Sequence, residues 1–213
     1  MSEHAPATHA THATHAGGHD PAHATSLGVD SRKMGVWAFI GSETLFFAAL
    51  IATYLIYKPI NARLYPEQLP HEKLGIQFTG VLAAILLASS VTMVQALAAS
   101  RRGDQRKFTI YHLATVGLGL CFLGGQIYEF SNLFLNEGLS LSSSLLGMTF
   151  FLLTGFHGTH VAIGVTWLLS VFFKVRRYPN GSENILDIEL GGLYWHFVDL
   201  VWVAVFTLIY LLP

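Results

Sequence analysis

Gly191-Gly192-Leu193-Tyr194-Trp195-His196-Phe197-Val198-Asp199-Leu200-Val201-Trp202 opens an apolar run that continues to Leu212. The run holds one imidazole and one carboxyl, His196 and Asp199. They are three residues apart, so on a helix they share a face. Trp195, Asp199 and Trp202 fall at i, i+4 and i+7, which sets the acid in an aromatic stripe. A carboxyl so deep in an apolar span is costly unless it pairs, and such residues face protein or a water-filled cavity. Two readings follow. His196 and Asp199 form a polar clamp that docks this helix on its neighbours, or they serve a proton or a metal. In both, the rest of the chain must supply the facing groups.

Composition agrees with a membrane location. Of 213 residues, 52% are hydrophobic and 12% charged, against about 25% charged in soluble domains. The mean hydropathy is +0.48. A net charge of -1 gives no footprint for nucleic acid. Cys121 is the single cysteine, which excludes an intramolecular disulfide and a thiolate metal cluster. The first thirty residues have no apolar core, and the first apolar run is long enough to span. No cleavable signal peptide is therefore expected.

Outward from the opening stretch, four further apolar segments lie at about 34–57, 74–99, 108–133 and 143–173, with the last at 191–212. Each meets the roughly 20 residues that a bilayer requires. The expected fold is an all-α membrane bundle of five transmembrane helices over residues 32–213. Pro59, Pro66 and Pro70 break the first connection, and Tyr178-Pro179-Asn180-Gly181 marks a turn before the last span. The fourth segment exceeds the bilayer and must tilt or project. Gly117, Cys121 and Gly125 suggest a small-residue packing seam on the third.

Residues 1–31 read as a disordered tail. Thr-His-Ala repeats three times from Thr8 to Ala16, and six of the eleven histidines are here. With almost no apolar bulk, the tail cannot build a core. Its histidines suit weak metal binding or a pH-sensitive surface contact. Orientation follows from Lys and Arg. Arg32, Lys33, Arg101, Arg102, Arg106, Lys107, Lys174, Arg176 and Arg177 fall on one side under strict alternation, and Lys58, Arg63 and Lys73 on the other. The N-terminus is expected inside and the C-terminus outside.

Polar groups within the spans are Glu43, Gln126 with Glu129, His157 with His160, and His196 with Asp199. A helical bundle can hold a metal with such donors. At about 1.5 Å per residue from each charged end, Glu43 and Asp199 lie roughly 15 Å deep, and His160 and His157 roughly 21 and 26 Å. The mismatch argues against one shared metal site. His157 and His160 are expected to hydrogen-bond neighbouring helices instead, as buried polar groups do. Glu129, near the outer end, is expected to reach water and order the loop that follows. Glu43 has no lysine or arginine at its depth. It reads either as a proton-exchanging or lipid-contacting acid, or as a neutral acid making one interhelical hydrogen bond.

Four blocks stand in order: Ser42-Glu43-Thr44-Leu45-Phe46-Phe47, Gln126-Ile127-Tyr128-Glu129-Phe130, Gly155-Phe156-His157-Gly158-Thr159-His160-Val161, and Tyr194-Trp195-His196-Phe197-Val198-Asp199. Together they closely resemble subunit III of haem–copper oxidases, over about residues 34–212. The resemblance implies a chain with no haem, copper or catalytic residue of its own. It implies packing beside oxidase subunit I, with subunit II and a small subunit IV in the same complex and haem and copper in the partner subunits. It also implies bound phospholipid, support of proton uptake during oxygen reduction, and a multi-pass place in a bacterial plasma (inner) membrane.

Within that resemblance, Glu43 looks like the family's buried, carbodiimide-reactive carboxyl, which acts indirectly. Glu43, His157 and His160 are the candidates for proton-uptake support or lipid contact. His196, Asp199, Gln126 and Glu129 are candidate structural clamps. The long form of the family has two spans before the Ser-Glu helix, and this chain looks like the five-span form. The Ser-Glu and Gly-Phe-His-Gly blocks look like cytochrome c oxidases. The five-span length and His-rich leader also occur in bo-type quinol oxidases. A remoter reading is a small transporter or metal-handling protein, against which the lack of an internal repeat argues.

Overall fold

The computed structural model describes residues 30–64, 75–135, 145–179, 181 and 183–211. The histidine-rich tail lies outside them except for Asp30 and Ser31. Five helices long and apolar enough to cross a membrane are present. They are α1 (Ser31–Leu64), α2 (Ile76–Arg101), α3 (Gln105–Leu135), α4 (Leu145–Arg177) and α5 (Asn184–Val205). A π-helical segment, Phe206–Leu211, continues α5. The helices outrun the apolar segments at their charged ends. The bilayer limits the apolar run, while backbone hydrogen bonding carries the helix on into the interface. Thus α5 starts seven residues before Gly191, with Asp187 in its first turn, where the helix dipole favours an acid.

The α2–α3 connection is very short. Gly103 takes φ 74°, a left-handed conformation that only glycine adopts without strain. Its N–H bonds to the Ser100 carbonyl at 3.0 Å. Asp104 then accepts the Lys107 N–H at 3.0 Å and caps α3. These hydrogen bonds, with the backbone bond to Lys107 foremost, hold the exposed Asp104 carboxyl below its ordinary pKa. Between α4 and α5, Gly181 N–H bonds to Tyr178 O at 3.0 Å and Asn184 Nδ2 donates to the same oxygen at 2.6 Å. The turn read from Tyr178, Pro179 and Gly181 is therefore in place.

Ion pairs bind four helix ends together on one side. Lys33 of α1 meets Glu189 of α5 at 2.5 Å, and Arg101 of α2 meets the same carboxyl at 3.6 Å. Arg32 of α1 reaches Glu183 at 3.1 Å, and Lys174 of α4 reaches Asp187 of α5 at 2.5 Å. Strict alternation requires these cations to share a side, and the pairing agrees. Each exposed pair contributes only about 0–1 kcal/mol.

Packing centres on α5. More than half of its span is enclosed, whereas among the described residues of α1 Phe47 and Tyr54 alone are buried. Trp195 is fully buried where α2, α3 and α4 converge. Its Nε1–H donates to Ser89 Oγ of α2 at 2.9 Å. Its ring fills the space left by two glycines. A Cβ on Gly119 of α3 would lie 2.6 Å from the indole, and one on Gly164 of α4 would lie 3.0 Å from it.

The small-residue seam expected on α3 is only partly correct. Gly125 admits Leu82, but Gly117 faces open space and Cys121 is exposed. Gly117 and Gly125 are about 80° apart around the helix, enough for one to meet α2 while the other looks outward. The glycine that does the packing beside Gly125 is Gly119. Gly119→Ala is therefore expected to destabilise the protein by about 1–3 kcal/mol through overpacking. Gly117→Ala should leave stability unchanged. Thermal unfolding of the two purified variants in detergent checks the difference.

Candidate functional site

Glu43 and His160 meet where α1 crosses α4. His160 Nε2 lies 3.2 Å from Glu43 Oε2, and both side chains are largely enclosed. His160 Nδ1 lies 2.7 Å from the Phe156 carbonyl one turn back. A carbonyl only accepts, so Nδ1 carries a proton. Nε2 then has two options. It accepts the Glu43 hydroxyl proton as a neutral pair, or it donates to an ionised Glu43 as an imidazolium. In both, one proton lies between the two groups. An aromatic wall surrounds it: the Phe47 ring is 4.9 Å from the His160 ring, and Phe46 packs on Phe156 at 5.1 Å. Tyr194 Oη donates to the His160 carbonyl at 3.1 Å and ties the pair to α5.

Counting residues from the charged ends placed His160 deeper than Glu43, and the structure corrects that. Arg32 and Lys174 both reach Glu183, with Lys174 at 3.7 Å. Long side chains that converge on one acid do not fix the level of their backbones, and the Glu43–His160 contact puts these two groups side by side. Among the described residues the ion-pair partner of Glu43 is this histidine.

His157 behaves otherwise than expected. It is fully buried, and neither ring nitrogen has a hydrogen-bond partner among the described residues. Its ring stacks on Trp202 at 4.7 Å and meets Phe122 edge-on at 5.7 Å. Position 157 is turned about 60° from position 160 on the helix, which sets its ring between Phe122 of α3 and Trp202 of α5, with Phe47 of α1 edge-on at 6.5 Å. The expected bond to another helix is replaced by aromatic packing.

Gln126 joins two helices. Its Nε2 donates to the Thr154 carbonyl of α4 at 2.6 Å, and its amide lies against Gly158, where a Cβ would come within 2.8 Å of Oε1. Glu129 was expected in water and is buried instead. Thr79 Oγ1 of α2 donates to its Oε1 at 2.6 Å, and Tyr210, on the π-helical segment, faces the same carboxyl. The wide π turn carries Tyr210 inward over the end of α3.

His196 Nδ1 is 2.5 Å from Ser90 Oγ of α2, a contact between two helices. Asp199 is buried with neither oxygen hydrogen-bonded among the described residues.

Two polar features escaped sequence reading. His112 of α3 is buried with Nε2 2.9 Å from the Leu168 carbonyl of α4. Its place one turn after Phe108, on the face that continues through Thr115 and Gly119, was the available signal. Ser89 and Ser90 supply the α2 partners of Trp195 and His196. Adjacent serines in an apolar run carry no periodicity and gave no such signal. No group of three His, Cys, Asp or Glu that could hold a metal occurs among the described residues.

Residues 9–212 match the family model described as cytochrome c oxidase subunit III. The chain belongs to the cytochrome c oxidase subunit III family. It is 33% identical to cytochrome c oxidase subunit 3 of Alkalihalophilus pseudofirmus, over 90% of this chain and 91% of the relative. It is 36% identical to that of Bacillus sp. strain PS3, with the same coverage of both chains. Quinol oxidase subunit 3 of Bacillus subtilis strain 168 is 35% identical, over 84% of this chain and 86% of the relative. A subunit III chain is part of a multi-subunit haem–copper oxidase, and the family is not itself a carrier of haem or metal. With five apolar helices, it is a multi-pass membrane protein.

The Thr79–Glu129 contact yields a test of the interhelical clamps. Thr79→Val deprives a buried carboxyl of a donor, which costs about 1–3 kcal/mol. Adding Glu129→Leu removes the stranded acceptor as well and should recover part of that loss. Midpoints of heat denaturation for the two single variants and the double variant give the coupling.

Proposed function

We propose that this chain is the non-redox subunit III of a terminal oxidase in a bacterial plasma membrane. In this reading it packs on subunit I, holds phospholipid at its α1 face, and supports proton uptake and sustained turnover. Haem and copper belong to the partner subunits, with subunit II and a small subunit IV completing the complex. The observation that carries the reading is the Glu43–His160 contact. It is a single-proton pair set in phenylalanine at the edge of the bundle, between the least enclosed helix and α4. Such a pair can order lipid and neighbouring protein around a proton path that runs in another subunit.

The electron donor in this reading is cytochrome c. The quinol alternative is favoured by one observation, the 35% identity to a quinol oxidase subunit 3. Oxygen uptake by the purified complex with reduced cytochrome c, and separately with a quinol, decides between them. Cytochrome c is expected to sustain the higher rate. The positive-inside distribution supports an inward N-terminus.

Glu43→Gln tests the indirect role. A glutamine amide can donate to His160 Nε2 as the acid does in the neutral pair, so assembly should persist. Turnover and proton ejection should fall by less than about tenfold, under ~1.4 kcal/mol in barrier. The measurement is oxygen consumption with proton release from vesicles holding the fully assembled variant complex. Near-complete loss of both would make Glu43 an obligatory relay and sink this reading.

A further inference from the structure

Asp199 is 4% exposed, and both its carboxyl oxygens are buried without a hydrogen-bond partner among the described residues. His196 Nδ1 meets Ser90 Oγ of α2, and Asp199 follows His196 by three residues on α5, about 4.5 Å further along the helix axis. The Ser90 hydroxyl is the polar group facing the Asp199 carboxyl, and it is also 2.5 Å from His196 Nδ1.

Counting protons shows that these three groups cannot satisfy one another. Ser90 has one hydroxyl proton. If it goes to His196, Asp199 receives none. If His196 donates to Ser90 instead, the serine proton serves one carboxyl oxygen and leaves the other bare. If Asp199 is protonated and donates to Ser90, its carbonyl oxygen still lacks a donor. In every arrangement at least one buried carboxyl oxygen is short of a hydrogen bond. A buried acceptor left so costs about 1–3 kcal/mol, and buried water bridging two to four polar atoms is the usual remedy. Two carboxyl oxygens and the Ser90 hydroxyl provide that number. Ser90 and His196 are partly exposed, so this chain does not seal the polar side of the site.

We propose that Asp199, Ser90 and His196 form a water-binding site between α2 and α5, in which bound water donates to the Asp199 carboxyl and opens it to proton exchange from the face where His196 lies. The Glu43–His160 pair plays no part in it, so the site stands whichever role Glu43 has.

The test uses the assembled oxidase complex. Infrared difference spectra of the unaltered and Asp199→Asn complexes isolate the Asp199 carboxyl absorption. Transfer to D2O should shift the whole of that absorption within minutes, and high-resolution density of the unaltered complex should show a peak bonded to both the carboxyl and Ser90 Oγ. A protonated-carboxyl absorption unmoved by D2O overturns the site, and so does a carboxyl without that density peak where other buried waters are resolved. Density for a donor side chain from another subunit at the carboxyl overturns it too. If Asp199→Asn does not assemble, the density of the unaltered complex decides alone.

Discussion

The bundle depends on burying one indole. Trp195 reaches α3 and α4 through gaps at Gly119 and Gly164, and α2 through its hydrogen bond to Ser89. An aromatic ring of this size removes 150–250 Å2 from lipid or water, and its N–H must find an acceptor when buried. Ser89 meets that need while its own hydroxyl donates to the Leu86 carbonyl at 2.5 Å. Helix association in a membrane gains little from the hydrophobic effect, because lipid tails are as apolar as leucine. Close packing and interhelical hydrogen bonds must supply what is missing. Trp195 supplies both at one point, and the level at which it sits sets the register of four helices.

With that register set, the remaining polar contacts form a series along the bundle. Ion pairs to Glu183, Asp187 and Glu189 close one end. His196 on Ser90 and Glu43 on His160 lie within the span. Gln126 on Thr154 and Glu129 on Thr79 lie toward the other end. The four contacts beyond the ion pairs join four different pairs of helices, so sliding one helix strands several polar groups at once. α1 is the exception. It buries Phe47 and Tyr54 and little else, and its polar anchors are Glu43 and the ion pairs of Arg32 and Lys33. A helix so lightly held is suited to a surface shared with lipid or with other subunits.

Much of this was legible in the residues. Five spans follow from apolar length, and the four motif blocks fall in four different helices that pack together. Lys and Arg placement anticipated which helix ends meet. What the sequence could not resolve is rotation and offset. Gly117 and Gly119 are chemically alike, yet only Gly119 meets Trp195, because two residues on a helix differ by 200°. His157 and His160 look like equivalent members of one motif, yet one stacks in the core and the other touches α1. Glu129 sits near a predicted surface, but Tyr210 on a π turn covers it, and no residue pattern announces a π turn. Depth counting failed for His160, which meets Glu43 directly, because a charged residue with a long side chain is a loose marker of where its backbone sits.

The geometry also separates holding a proton from passing one. The Glu43–His160 pair has no net charge whether its proton rests on the carboxyl or on the imidazole. Moving the proton between the two groups therefore changes nothing that a distant charge would sense. Passing it onward would leave a carboxylate beside a neutral ring, with Phe46, Phe47 and Phe156 around it and no lysine or arginine in the membrane half of any span. An uncompensated charge at that depth costs at least about 2.5–3.5 kcal/mol on insertion scales. That cost recurs at each transfer, and over the whole cycle it slows a relay through this point by roughly a hundredfold, at 1.4 kcal/mol per factor of ten. With one proton shared between them, Glu43 and His160 leave the α1–α4 face without net charge in either arrangement.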